Sequence, residues 1–252
     1  MIVSHSHRFV VLLPWKTASQ TTLARLAPYD DQVYPRFYYV NPYLGRITHQ
    51  HITYGEYAAL PEKSLGYFEA AFTRNPYDRV YAAFRQLQTD LVEQPGAAYP
   101  SQDVRDVVMA QLAENRRQLE SADYDFDRWV LSIRDEQVVD VERNSSFPLY
   151  PGHYWTHQSG TPAVDFVGRV ERFELDFQSL VDAVGLRDVE HTNANVVDLV
   201  GESHGNPFAY RYVDRMSCEA ISRINDLFDD DFELLGYSRV EPGAVAKKQG
   251  DL

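Results

Sequence analysis

The sequence predicts a single α/β domain, on three observations. The apolar run FVVLL at residues 9–13 has the composition of a buried strand. It stops at Pro14 and passes through a polar loop into the helical spacing of Leu23, Leu26 and Ala27. A second strand-to-helix passage follows at residues 71–84, AFTRNPYDRVYAAF, where Tyr77, Val80, Tyr81 and Phe84 recur at helical intervals behind Pro76. The chain's 252 residues are 44% hydrophobic, enough for one large core, and no repeat or low-complexity linker divides them.

The loop after the first strand carries the chemistry of an anion site. Lys16 stands there among Thr17, Ser19, Gln20, Thr21 and Thr22. Backbone N–H groups at such a helix start face a bound phosphate with the positive end of the helix dipole behind them, and a lysine can reach over it as a point charge. The nucleotide loop GxxxxGK[ST] is not matched, since the segment has no glycine and its lysine precedes the hydroxyl cluster. Ordinary capping is the plainer use of Ser19 and Thr21. Only Lys16, Lys63, Lys247 and Lys248 are lysines among 24 basic residues, which makes Lys16 an unusual choice of cation. A compact ammonium follows charge developing on a bridging oxygen better than a planar guanidinium does.

Residues 14–22, Pro-Trp-Lys-Thr-Ala-Ser-Gln-Thr-Thr, resemble the 5′-phosphosulfate loop of sulfotransferases, whose carbohydrate branch carries P-K-T-A-[GS]-[ST]-[ST]. Trp15 is inserted between the proline and the lysine, and Gln20 displaces the hydroxyl pair by one position. The resemblance implies a donor-binding loop of Lys16, Thr17, Ala18, Ser19, Gln20, Thr21 and Thr22. Residues 71–84 resemble the family's 3′-phosphate element, R-[ND]-P-x-[ED]-R-x-x-S, which implies that Arg74 takes the 3′-phosphate. An arginine fork suits a terminal phosphate by bidentate hydrogen bonding. Ala82 stands where the pattern has a serine, removing a hydroxyl hydrogen bond worth about 1 kcal/mol. The alternative use of Arg74 and Arg79 is a surface ion pair with Asp78 or Glu69.

The segment His49-Gln50-His51-Ile52-Thr53-Tyr54 is similar to H-x-H-[VI]-x-Y of uronyl and heparan 2-O-sulfotransferases, in which a histidine is the catalytic base. In an extended segment His49 and His51 point the same way. A neutral imidazole, with an ordinary pKa of ~6.5, can take a proton from an acceptor hydroxyl. His51 is placed first as base and His49 second. Two histidines are too few for a closed zinc site, and Cys218 and the other histidines show no ligand spacing, so no metal is expected.

The remaining elements supply order. Residues 104–119 predict a helix followed by an acidic turn at 123–127, and residues 86–150 match no motif, the place where acceptor specificity would reside. Residues 153–158, HYWTHQ, resemble the H-W-x-P-Q stretch that often precedes the family's last sheet strand, with His157 in place of proline. Residues 164–171 alternate into a strand, and residues 174–186 form a helix closing at Gly185. Residues 213–228 predict an amphipathic helix. Residues 231–237 match the family's usual chain end, leaving 238–252 as a polar, mobile tail behind a single domain of residues 1–237.

The resemblance implies a three-layer α/β/α sandwich with a mainly parallel sheet, similar to that of P-loop NTPases, with ligands beyond the carboxyl ends of the strands. It implies transfer of a sulfuryl group from 3′-phosphoadenosine 5′-phosphosulfate (PAPS) to a hydroxyl of a saccharide or glycosylated metabolite, without a metal. Two alternatives remain: a P-loop kinase using ATP and Mg²⁺, with Asp165 or Glu171 as metal carboxylate, and a non-catalytic nucleotide- or glycan-binding protein, which Ala82 and the altered loop favour. A net charge of −13 disfavours nucleic acid as a partner. No apolar run is long enough to span a bilayer, a strand begins too soon for a signal peptide, and one cysteine allows no internal disulfide. A cytoplasmic, bacterial setting is expected, unlike that of the membrane-anchored animal carbohydrate sulfotransferases.

Overall fold

The computed structural model describes residues 1–31, 38–89, 99–139, 149–187, 189 and 210–243. In chain order its elements are β1 (Ile2–Ser4), β2 (Phe9–Leu12), α1 (Ser19–Leu26), β3 (Tyr39–Asn41), β4 (Arg46–Thr48), α2 (Tyr54–Tyr57), β5 (Phe68–Thr73), α3 (Pro76–Thr89), α4 (Gln102–Ser121), α5 (Phe126–Ser132), α6 (Asp135–Val139), β6 (His157–Gln158), β7 (Thr161–Pro162), β8 (Phe166–Arg169), α7 (Phe173–Ala183), α8 (Cys218–Leu227) and α9 (Asp229–Leu235). Two compact units divide the chain: Met1–Arg74 with Gly152–Glu202, and Asn75–Pro151 with Ser203–Leu252.

The first unit is built on a sheet of order β1-β2-β5-β8. β2, β5 and β8 run parallel and β1 antiparallel, so the mixed α/β architecture with a mainly parallel sheet is as expected. All four residues of β2 are buried, which is why the run reads as continuously apolar instead of alternating. On one face of the sheet Phe9, Val11, Leu13, Ala70 and Phe72 pack against Leu23 and Leu26 of α1 and Phe173, Phe177 and Leu180 of α7. Gly168 of β8 makes room for this face, since a Cβ there would come within 2.4 Å of the Phe72 ring. Arg25 ties the two helices together: its buried guanidinium donates to both Glu174 carboxylate oxygens at 2.8 and 2.7 Å and lies 4.9 Å from the Phe177 ring centroid. Gly185, at φ 69°, ends the run after α7 as its sequence position predicts.

Strand alternation sends Glu69, Ala71 and Thr73 of β5 to the opposite face. There the Tyr57 hydroxyl of α2 donates to Glu69 at 2.9 Å, and Lys63 donates to both Glu69 oxygens at 2.7 and 2.8 Å. Burial and the adjacent Glu69 charge push the Tyr57 phenol far above its ordinary range. The segment that leads into α2 carries both histidines.

In the second unit, Asn75 organises the start of α3 by accepting from the Asp78 N–H at 2.9 Å and donating to the Asp78 carboxylate at 2.9 Å. α4 is longer than its sequence pattern suggests because Ser101 caps it, accepting from Val104 N–H at 3.3 Å. The predicted helix over 213–228 is a correction. Val213–Arg215 is a separate 3-10 turn, Ser217 accepts from Ala220 N–H at 3.1 Å, and α8 starts at Cys218. The start of the predicted tail is also held: Ser238 N–H donates to the Tyr210 hydroxyl at 2.9 Å, Val240 N–H to the Tyr77 hydroxyl at 2.7 Å, and the Cys218 thiol to the Pro242 carbonyl at 3.0 Å. Residues 244–252 lie outside the described residues.

Candidate active site

The loop leaving β2 is shaped by its own backbone. Lys16 and Ala18 both adopt left-handed conformations, at φ 63° and 60°, and such residues curl a chain so that neighbouring N–H groups converge. The Thr17 hydroxyl fixes the curl by donating to the Pro14 carbonyl at 2.9 Å, and the Thr22 hydroxyl donates to the Ala18 carbonyl at 3.1 Å. These two hydroxyl protons therefore serve the loop itself. The capping use of Ser19 and Thr21 is overturned, because the N-cap residue of α1 is Ala18 and no side chain caps it. The first-turn N–H groups of α1 thus keep the open, positive end that an anion needs. Ser19 and Thr21 are buried beside it and Gln20 is exposed. The inserted Trp15 lies beside the lysine, with the Lys16 ammonium 5.9 Å from its ring centroid, at the outer limit for a cation–π contact.

The histidine segment is not extended. β4 ends at Thr48, and Thr53 caps α2 in a reciprocal box with Glu56, so residues 49–53 form a connection between two fixed ends. His49 and His51 still meet, with ring centroids 5.2 Å apart in an edge-to-face arrangement. His49 Nδ1 accepts from the His51 backbone N–H at 3.0 Å. His51 Nδ1 donates to the Leu13 carbonyl at 2.6 Å, which puts the proton of the neutral ring on Nδ1 and the basic lone pair on Nε2. Burial holds the His51 pKa well below its ordinary value, helped by His49 and, less strongly, by Lys16, against the opposing bond to Leu13. His51 is therefore a neutral acceptor of protons at pH 7.

Arg74 follows the last residue of β5 and is buried at 6% exposure. Its guanidinium donates to the Lys16 carbonyl at 3.5 Å, and no carboxylate pairs with it among the described residues. The ion-pair use expected as its alternative is overturned for Arg74: Glu69 is taken by Lys63 and Tyr57, while Asp78 accepts from Asn75 and from the backbone of Arg211 and Tyr212. Lys16, His49, His51 and Arg74 thus gather around one loop, held by carbonyls three residues apart, Leu13 and Lys16.

The family model of sulfotransferases matches residues 1–238. The chain belongs to the sulfotransferase family. No curated protein and no solved structure matches it. Membership supports sulfuryl transfer as the general activity and a transferase as the class of enzyme. Asp165, one of the two carboxylates offered for a kinase's metal, stands just before β8 and accepts from Glu69 N–H at 2.9 Å, at the amino end of the parallel strands and away from the loop. Among the described residues no group of three or more His, Cys, Asp or Glu could hold a metal ion, and no helix is long and apolar enough to cross a membrane.

Two groups at the site escaped the sequence reading. Gln50 is buried and its amide nitrogen lies 3.3 Å from His51 Nε2, donating to the lone pair that a substrate proton would take. An extended segment would have pointed it the other way, so the period-two argument concealed it. The Leu13 carbonyl, which sets the His51 tautomer, carries no sequence signal at all.

Proposed function

We propose that this chain transfers a sulfuryl group from PAPS to a hydroxyl of a saccharide or glycosylated metabolite, on the three-layer sandwich that such a reading entails. The observation that carries the reading is a buried guanidinium with no carboxylate partner among the described residues, beside a helix start that no described side chain caps. Both ask for an anion, and the guanidinium, which follows β5, reaches the Lys16 carbonyl of the loop that opens the helix. The first-turn N–H groups of α1, with Ser19 and Thr21 beside them, take the 5′-phosphosulfate, and Thr17, Ala18, Gln20 and Thr22 shape the loop that presents them. Arg74 takes the 3′-phosphate that distinguishes this donor from ADP.

The acceptor oxygen attacks sulfur in line as the bond from sulfur to the phosphate oxygen breaks. His51 Nε2 takes the acceptor proton, while His49 holds the backbone at His51. Lys16 stabilises the charge that grows on the leaving phosphate oxygen. Positioning and electrostatics supply most of the catalysis, as in phosphoryl transfer, and the reading calls for no metal.

Calorimetric titration with 3′,5′-adenosine bisphosphate tests the donor site. Wild type is expected to bind it in preference to ADP with Mg²⁺, and Arg74→Ala to lose at least about tenfold in affinity, the cost of a charged hydrogen bond pair. Preference for ADP with Mg²⁺, or equal affinity in the variant, would sink the reading.

A further inference from the structure

Thr73 is the last residue of β5, immediately before Arg74, and it is 2% exposed. Its hydroxyl oxygen is buried and has no hydrogen-bond partner among the described residues. A buried hydroxyl left unpaired costs free energy, which a ligand that pairs with it would recover. Its position is informative. Parallel sheets place their ligands at the carboxyl ends of the strands, and Thr73 is the carboxyl end of a strand flanked on both sides by parallel neighbours.

Alternation decides which ligand it meets. Ala70 and Phe72 face α1 and α7. Thr73 shares the opposite face with Glu69, whose carboxylate is held by Tyr57 of α2, and α2 is the helix that the His49–His51 segment enters. Thr73 therefore lies on the face of β5 that carries the Glu69–Tyr57 bond, one residue before Arg74.

From this placement we infer that the Thr73 hydroxyl positions the acceptor, hydrogen-bonding a saccharide hydroxyl next to the one that His51 deprotonates. The inference rests on the sulfotransfer reading. No covalent step passes through Thr73, which orients and does not react.

Thr73→Val keeps the shape and removes the hydroxyl, and Thr73→Ser restores it. Three measurements separate the outcomes: melting of the ligand-free proteins, calorimetry with 3′,5′-adenosine bisphosphate, and initial rates of bisphosphate formation from PAPS with a panel of p-nitrophenyl glycosides. Thr73→Val is expected to raise the melting midpoint by about 2–4 °C, since it replaces an unpaired buried hydroxyl by a methyl. Its bisphosphate affinity should stay within about twofold, while kcat/KM for the glycoside falls about tenfold through KM, and Thr73→Ser recovers most of it.

A lower midpoint would assign the hydroxyl a structural partner and overturn the inference. Weakened bisphosphate binding would move Thr73 to the donor, and unchanged kcat/KM would remove it from the site. Wild type that binds the bisphosphate but turns over no glycoside would overturn the saccharide acceptor on which Thr73 acts. Wild type that fails to bind the bisphosphate would overturn the donor reading itself.

Discussion

Arg74 and Arg79 are five residues apart, both buried, and both prescribed by the same resemblance, yet their surroundings differ completely. Arg79, in α3, donates to the Tyr150 carbonyl at 2.7 Å and to Asp231 at 3.2 Å, and its guanidinium lies 5.1 Å from the Phe228 ring centroid. Arg74 has one long bond, to the Lys16 carbonyl, and no carboxylate among the described residues. A buried charge whose partners come from its own protein is scaffold, whereas one that lacks them awaits a ligand. Burial alone would have made the two arginines equivalent; a carboxylate partner among the described residues, Asp231 for Arg79, distinguishes them.

The largest effect expected from this contrast is at Arg79. Arg79→Met breaks a buried pair and strands Asp231, a loss of about 3–5 kcal/mol in urea-unfolding free energy. A loss under about 1 kcal/mol would mean that the Asp231 pair contributes little and that Arg79 is not scaffold. Lys16 gives the next largest effect, on turnover instead of stability. Lys16→Ala should lower kcat by about 10²–10³, the usual cost of removing one stabiliser of transition-state charge, with a much smaller change in bisphosphate affinity. The reverse pattern would make Lys16 a second anchor like Arg74.

The contrast also explains what the sequence could reveal. The strand, loop and helix at Phe9–Leu26 were legible because burial on both faces forces a continuous apolar run and helical spacing follows it. Arg74, His51 and Lys16 were legible as types in a pattern. Their partners were not. That Ala18 rather than Ser19 would stand at the N-cap depends on left-handed backbone at Lys16 and Ala18, neither of which is glycine. That Asp78 would be consumed by Asn75 and by backbone N–H groups more than 130 residues later depends on long-range packing. Apolar spacing alone starts the helix of Cys218–Leu227 too early because it continues through the 3-10 turn, and the Ser217 cap marks the true start.

His51 extends the contrast to single atoms, with Nδ1 satisfied by Leu13 and Nε2 approached by Gln50 at 3.3 Å. Its folded pKa lies below the unfolded value of ~6.5, so on acidification the unfolded state binds the proton first. The stability contributed by neutral His51 is thus fully present above pH ~6.5 and is lost as pH falls toward the folded pKa. The matching kinetic expectation is a kcat/KM profile flat near neutrality with its acid limb below pH ~6.5. An acid limb above neutrality would contradict the half-buried, Leu13-bonded imidazole. His51→Ala should abolish the limb along with most of the activity.

The smallest effect sharpens the comparison most. Arg74→Met removes a buried guanidinium whose one bond among the described residues is a 3.5 Å contact to the Lys16 carbonyl and puts a flexible apolar side chain of similar length in its place. Little attraction is lost, because no carboxylate among the described residues is left without its partner, while the cost of holding a charge away from water is removed. The ligand-free variant is therefore expected to unfold within about 1 kcal/mol of wild type, on the more stable side, although the same substitution at Arg79 is costly. Adding 3′,5′-adenosine bisphosphate should reverse the order, since only wild type gains the stabilisation that a bound ligand confers on the folded state. If Arg74→Met unfolds as readily as Arg79→Met without ligand, the guanidinium is scaffold after all, and the anion site must be sought without it.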